Sequence, residues 1–264
     1  MNKVIYTFAT IFTFALASFA APKPATTAND YFQVGFDAAN LGNHKVAIQN
    51  FNIAIGLEPT RIYFYYHRGI ANRNAGNKSA SIADFNTCNS IRPIAEAYYQ
   101  LGVFKYEESN LLGAKKEFEK AIELKEDVEK VNYYLGIINY RIGDFNASLA
   151  CLNRYTTLVK TNPDAFLFLA LSHIKLKNFN EARPCLKSAL LYTNNDWKLY
   201  YKMYEIYREM GDINNQLYNL SMVIELGQRK SEFYTLRSKL YESIGDRERA
   251  EEDFYFSQNI AEAK

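Results

Sequence analysis

Residues 98–121 read YYQLGVFKYEESNLLGAKKEFEKA, and the order of small and large side chains in this stretch decides the fold. Gly102 and Ala114 are small, so two backbones can approach closely there, whereas the Phe118 ring fills the space beside them. Intervals of three and four residues place such side chains on one helical face. The stretch therefore predicts two helices joined by a tight turn.

The same pattern returns along the chain at a nearly constant interval. Successive counterparts of Gly102 are 33 or 34 residues apart. They are Gly35, Gly69, Gly102, Gly136, Ala170, Tyr204 and Ser238. A fixed period in this range indicates helical repeats, which bury their apolar faces by stacking on one another.

Three further positions recur when each repeat is counted from seven residues before that marker. The fourth position is aromatic in six of the seven repeats, and the twenty-fourth is always Phe or Leu. The fifteenth position is glycine in five repeats, at Gly42, Gly76, Gly143, Gly211 and Gly245. Glycine there predicts a turn with positive φ between the two helices.

These residues resemble the tetratricopeptide repeat family, as do Pro59 and Pro93 near the ends of repeats. The resemblance implies an all-α fold, a right-handed superhelical solenoid of about seven helix-turn-helix units. The units are predicted at residues 28–61, 62–94, 95–128, 129–162, 163–196, 197–230 and 231–264. In the sixth repeat, Tyr204 stands where the family has a small residue, so we expect the helix packing to differ there.

The first residues predict a cleavable export signal. Lys3 is followed by a mostly apolar run from Val4 to Leu16 and by a small-x-small cleavage site that ends at Ala20. The run is shorter than the roughly 20 residues that a membrane-spanning helix needs. We therefore expect residues 1–20 to be a signal peptide, residues 21–27 a flexible leader, and the mature protein to be periplasmic or secreted without an integral membrane span.

Composition and charge exclude several function classes. The 31 basic and 29 acidic residues nearly balance, so we expect no nucleic acid partner. No CxxC or HExxH motif is present, and we expect no metal site and no cofactor. The three cysteines are too few for a disulfide framework, and no nucleophile and base show a recognisable catalytic spacing. We therefore expect that the protein is not an enzyme.

The resemblance also implies where a partner would bind. In the family, the first helix of each unit lines a concave groove. The residues predicted to face it here are Phe32, Phe36, Tyr63, Tyr66, His67, Ile70, Tyr99, Val103, Tyr106, Tyr133, Ile137 and Tyr140. An exposed aromatic and aliphatic stripe of this size favours a recognition surface. The alternative is that these rings only pack the repeats together.

The stripe favours an apolar or amphipathic partner, either a protein or a peptide segment. Members of the family that bind chaperone tails hold a terminal carboxylate with Lys, Asn and Arg. The ninth position here is apolar in the first five repeats and polar only in the last two, reading Phe36, Ile70, Val103, Ile137, Leu171, Glu205 and Lys239. A carboxylate clamp is therefore not expected. The leading hypothesis is an exported scaffold, by resemblance one that serves envelope, pilus or secretion assembly. The alternative is a self-assembling structural repeat protein.

Overall fold

The computed structural model describes residues 26–124, 129–192 and 196–262. The predicted signal peptide and most of the predicted leader lie outside these residues. The helices are α1 (Ala28–Asn40), α2 (His44–Leu57), α3 (Ile62–Asn74), α4 (Lys78–Ile91), α5 (Ala95–Glu107), α6 (Leu111–Leu124), α7 (Glu129–Arg141), α8 (Phe145–Leu158), α9 (Pro163–Lys175), α10 (Phe179–Leu191), α11 (Trp197–Glu209), α12 (Ile213–Glu225), α13 (Ser231–Ser243) and α14 (Arg247–Glu262). The described residues contain no strand, so the all-α prediction is confirmed.

The described helices pack as seven consecutive helix-turn-helix pairs, α1 with α2 through α13 with α14, as the repeat period of 33 or 34 residues predicts. They fall into two compact units. The first ends at Ile91 and contains pairs 1 and 2, and the second begins at Arg92 and contains pairs 3 to 7. Positions are counted below from the first residue of each pair, at residues 28, 62, 95, 129, 163, 197 and 231.

The turn between the two helices has the same backbone conformation in each pair. Position 15 has a positive φ in all seven pairs, with glycine in five of them and Ser109 and Lys177 in the other two. Position 16 is always Asn or Asp. Its side chain caps the second helix in several pairs, as where Asp144 accepts a hydrogen bond from the Ala147 backbone N–H. The capping oxygen satisfies an otherwise unpaired donor and thereby sets the helix start.

The two helices of a pair approach closely where position 8 meets position 24. A Cβ atom placed on Gly102 would lie 2.7 Å from the Phe118 ring, so glycine is needed there. Pair 6 has Tyr204 at position 8, yet α11 and α12 still pack together and Tyr204 is buried. Tyr204 belongs to the same buried cluster as Leu220 and Val223 of α12, so the larger side chain is accommodated in the core of this pair.

Neighbouring pairs bury a shared core within each unit. In the second unit, Phe118 and Ala121 of α6 pack with Val131 and Ile138 of α7, and all four are fully buried. Ala28 of α1, Ile55 of α2 and Phe64 of α3 form the equivalent cluster in the first unit. Within each unit, each pair thus covers the apolar face of the one before it. None of the described helices has the length and apolar character needed to span a membrane.

Candidate protein-binding surface

The predicted stripe lies on the first helices of pairs 1 to 4, but its members differ in exposure. Tyr63 is 52% exposed. Nine others are half-buried: Phe32, Phe36, Tyr66, His67, Ile70, Tyr99, Tyr106, Tyr133 and Tyr140. A partner could reach part of each of these side chains.

Val103 and Ile137 do not lie on an accessible surface. Each is only 3% exposed. Val103 belongs to a core cluster, and Tyr99, Tyr106 and Tyr134 pack against that cluster. The expectation that these two aliphatic residues face a partner is therefore corrected. Large rings on neighbouring turns and on the next repeat cover position 9 in this part of the chain.

In the first unit, the predicted residues gather around His67 of α3. The centre of the His67 ring lies 4.2 Å from that of Tyr63, 5.2 Å from Phe32 and 5.4 Å from Phe36. The Tyr66 ring stands at a right angle to the imidazole at 5.4 Å. Burial among these rings lowers the pKa of His67 from 6.5 to about 4, because a charged imidazole would lose hydration there. The space between α1 and α3 is thus filled by a neutral histidine.

In the second unit, Tyr134 of α7 has the same place relative to α5. Its ring stacks on Phe118 with centres 5.2 Å apart and meets the Tyr106 ring edge-on at 5.2 Å. The Tyr99 ring lies 6.1 Å away. These aromatic contacts fill the space between the two helices, and the Tyr99, Tyr106 and Tyr134 side chains stay half-buried.

Tyr133 and Tyr140 contact different helix pairs. The Tyr133 ring lies 5.2 Å from that of Tyr155 in α8 of its own pair, and burial raises the pKa of the Tyr133 hydroxyl above its usual value. The Tyr140 ring contacts Phe168 of α9, with centres 5.4 Å apart. Tyr140 also lines the open groove described next, and it is the one predicted residue that does so.

A groove of about 450 Å³ runs across α7, α9 and α11, the first helices of pairs 4 to 6. Its apolar lining comes from Tyr140, Leu167, Phe168, Leu171 and Ile206. A second depression of about 550 Å³ lies beside it and shares Leu167, Phe168 and Lys202 with it. The two form one trough, large enough for several side chains of a bound segment.

Charged side chains edge this trough in opposite-sign pairs. The Lys175 Nζ lies 3.4 Å from a carboxylate oxygen of Glu209, and the Lys202 Nζ lies 3.3 Å from one of Glu205. Arg208, also at the edge, lies over the Tyr204 ring. The site therefore combines an apolar floor with a rim that carries both signs of charge.

The predicted stripe stops at Tyr140 and so misses most of this trough. Leu167 and Leu171 stand at positions 5 and 9 of pair 5, the same positions from which the stripe was predicted, so the repeat register identifies them. Lys202 stands at position 6 of pair 6. No motif within its own repeat marks Lys202, which stands where pairs 4 and 5 have the aromatic residues Tyr134 and Phe168.

The described residues offer little for catalysis or metal binding. They contain no cluster of three or more His, Cys, Asp or Glu that could hold a metal ion. The three cysteines are free, and burial raises the pKa of the Cys88 thiol to about 12 and that of Cys185 to about 11. Such thiols are poor nucleophiles near neutral pH. What the site offers is an apolar contact surface with paired charges at its edge.

Comparison with protein families finds the tetratricopeptide repeat in two segments, residues 95–128 and 163–196. These segments correspond to pairs 3 and 5. No curated protein sequence matched the chain.

Solved structures with the same fold extend this likeness over most of the chain. The C-terminal part of a tetratricopeptide repeat-containing protein from Cytophaga hutchinsonii is 14% identical, with a TM-score of 0.68 over 88% of this chain and 96% of that one. A tetratricopeptide repeat protein from Parabacteroides merdae is 15% identical, with a TM-score of 0.61 over 88% and 93%. YrrB, described as a tetratricopeptide repeat protein with an unusual peptide-binding site, is 17% identical, with a TM-score of 0.56 over 65% and 89%.

Proposed function

Because the chain is a tetratricopeptide repeat protein, we propose that it is an interaction scaffold that holds an apolar or amphipathic segment of another protein on the first helices of its repeats. The trough across α7, α9 and α11 is the observation that carries this proposal. The peptide-binding site named for YrrB supports it by analogy of fold. The binding surface proposed here therefore begins at Tyr140 and extends toward α11.

The chemistry of the trough supports a particular kind of segment. Leu167 and Leu171 provide apolar contacts for two or more side chains, which favours a segment with apolar residues on one side. Lys175 and Lys202 already lie beside carboxylates of the protein itself. They are therefore poorly placed to hold a free terminal carboxylate, and the proposed partner is not a chaperone tail.

The proposed role is one of binding and involves no catalysis, and the buried thiols, whose pKa values are raised, are poor nucleophiles near neutral pH. We further propose that the scaffold acts outside the cytoplasm, in the periplasm or after secretion, in envelope, pilus or secretion assembly. The export pattern before Ala21 motivates this location. An intact N-terminal segment on the protein recovered from its native compartment would contradict it.

Binding to the trough can be tested with peptides selected from a displayed random library against the full-length chain. We expect the enriched peptides to carry apolar residues at helical or alternating spacing. The variant Leu171→Asp places a carboxylate on the apolar floor and should weaken the best peptide at least thirtyfold, about 2 kcal/mol. Fluorescence anisotropy with the labelled peptide measures this change.

The matched control is Leu191→Asp, which makes the same substitution on an exposed leucine at the end of α10. It should leave peptide affinity within about twofold, well under 1 kcal/mol. Both variants must keep the helicity of the wild type and unfold cooperatively above the temperature of the binding measurement. If selected peptides bind the folded Leu171→Asp protein as well as the wild type, the trough is not the binding surface.

A further inference from the structure

The last helix, α14, exposes an aromatic group that the proposed groove function does not use. Phe254 is 57% exposed and Tyr255 is 65% exposed. Isolated exposed apolar residues are common on protein surfaces, but two adjacent large rings form a patch. The question is what covers them.

The register of α14 shows that this exposure is unusual for the repeat. Arg237 at position 7 and Asp253 at position 23 form a bidentate ion pair, with N–O distances of 2.8 Å. Arg68 and Asp84 form the same pair at the same positions of pair 2. Pair 7 therefore has the ordinary arrangement, and Phe254 stands at position 24.

Position 24 is fully buried in the earlier pairs of the second unit. Phe118, Leu152, Leu186 and Leu220 are each 0% exposed. Each also belongs to a cluster that includes the first helix of the next pair, as Leu220 does with Phe233. Among the described residues no helix covers Phe254 in this way, and the Phe254 and Tyr255 side chains are exposed there.

We propose that a second copy of this chain covers the face, with the α14 helices of the two copies packed antiparallel about a two-fold axis. At 100° per residue, Arg247, Glu251, Phe254, Tyr255 and Gln258 share one side of α14. An axis between residues 254 and 255 places Phe254 of each copy against the partner's Tyr255. The interface is thus the same surface on both copies.

The charges on this face favour that orientation. The axis sets the Glu251 carboxylate opposite the Gln258 amide of the other copy, so each acceptor meets a donor. It also brings Arg247 to the C-terminal end of the facing helix, where a positive charge is stabilising. A parallel arrangement would instead place the two Glu251 carboxylates side by side, which is unfavourable.

Stacking on the first helix of another copy is less suitable. Positions 3 and 10 of a first helix are mostly buried and apolar in the later pairs, as Val131 and Ile138 show in pair 4. In α1 these positions are Asp30 and Asp37, both exposed. Carboxylates at the contact positions would face the acidic Glu251, so the first helix is a poor cover for α14.

The expected dimer is weak. Burial of the exposed parts of four rings removes about 500 Å² of aromatic surface from water, whereas a standard stable interface buries about 1,600 Å² in all. Monomer and dimer should therefore exchange, with the dimer appearing as the concentration rises. This assembly is independent of the trough, so Leu171→Asp should leave it intact.

Sedimentation velocity of the full-length chain from about 5 to about 500 µM tests the proposal over the range in which a weak dimer forms. We expect the mean sedimentation coefficient to rise with concentration, and the double variant Phe254→Glu, Tyr255→Glu to remain monomeric at the highest concentration. Tyr218→Glu changes an equally exposed ring on α12 and should dimerise like the wild type. A wild-type chain that stays monomeric throughout, or a double variant that still dimerises, overturns the proposal.

The orientation has its own test at position 258. Gln258→Lys sets an ammonium group opposite each Glu251 and should lower the dimer dissociation constant about threefold or more at low salt. Gln258→Glu sets two carboxylates against each other and should raise it by a similar factor. If the two variants change dimerisation equally or in the opposite order, the antiparallel arrangement is wrong.

Discussion

Pairs 1 and 5 present the same face of the repeat with half-buried apolar residues, but the side chain that the next pair places beside this face differs. In pair 1, Phe32 and Phe36 at positions 5 and 9 are covered by His67, which stands at position 6 of pair 2. In pair 5, Leu167 and Leu171 at the same positions border the trough. The residue at position 6 of the next pair is Lys202, whose side chain extends toward Glu205 instead of covering them.

The same rule describes the pairs between them in the second unit. Tyr134 at position 6 of pair 4 covers the face of pair 3, and Phe168 at position 6 of pair 5 contacts Tyr140 of pair 4. A ring at this position contacts the first helix of the pair before it, whereas Lys202 lines the trough together with Leu167 and Leu171. The location of the trough therefore depends on the repeat after the one whose apolar residues line it.

The largest effect expected from this comparison is at position 9. Ile137→Asp puts a carboxylate into a site that is 3% exposed and should destabilise the second unit by about 4 kcal/mol or more. Leu171→Asp makes a similar change at the same position of the next pair, where the side chain borders the trough. It should cost about 1 to 2 kcal/mol, because the charge keeps contact with water.

Urea denaturation followed by far-UV circular dichroism measures both changes. Wild-type protein and Leu191→Asp, with its exposed site, serve as references. Equal destabilisation by Ile137→Asp and Leu171→Asp would mean that position 9 is equally covered in the two pairs, and the comparison would fail.

This contrast also separates what the sequence predicts from what it does not. The period, the glycines at position 15 and the small residues at position 8 are local signals, and they predict the seven helix pairs correctly. The constant Asn or Asp at position 16 is equally visible in the sequence, and it accounts for the second helices that start after such a cap.

The candidate site is harder to predict because accessibility depends on contacts between repeats. Val103 and Leu171 have the same repeat position and similar chemistry, so their own segments do not distinguish them. Only the next first helix does, because Tyr134 packs against the cluster that contains Val103, whereas Lys202 lines the trough with Leu171. A prediction of exposure at positions 5 and 9 must therefore also read position 6 of the following repeat.

The next effect concerns the histidine that covers pair 1. His67 has a pKa of about 4 in the folded protein and about 6.5 when unfolded, so between these values the unfolded chain takes up a proton that the folded chain does not. Stability of the first unit should therefore fall as the pH is lowered from 6.5 toward 4. Because His67 is only half-buried, the loss should be about 1 to 2 kcal/mol, less than the full pKa difference implies.

Thermal or urea unfolding at a series of pH values measures this loss, and His67→Phe supplies the control. Phenylalanine keeps a ring at the covering position and has no charge to gain, so the variant should lose less stability than the wild type over the same range. Carboxylates titrate in both proteins, and the difference between the two curves removes their contribution. Parallel curves would show that His67 is hydrated and does not cover pair 1.

The smallest change in stability, and the most direct test of the covering position, is Lys202→Phe. A ring at residue 202 would lie over Leu167 and Leu171, as the His67 ring lies against Phe32 and Phe36 in pair 1. Burial of this ring should raise stability by up to about 1 kcal/mol, because the gain from apolar contact is partly offset by loss of the Lys202–Glu205 ion pair. The trough would then be filled, and a peptide selected on the wild type should bind at least tenfold more weakly, about 1.4 kcal/mol.

Lys187→Phe adds the same ring to the exposed side of α10 and should change neither quantity by much. Anisotropy titrations and melting curves of the three proteins decide the matter: a more stable Lys202→Phe variant that binds the peptide with undiminished affinity would show that the partner does not occupy the space between α9 and α11.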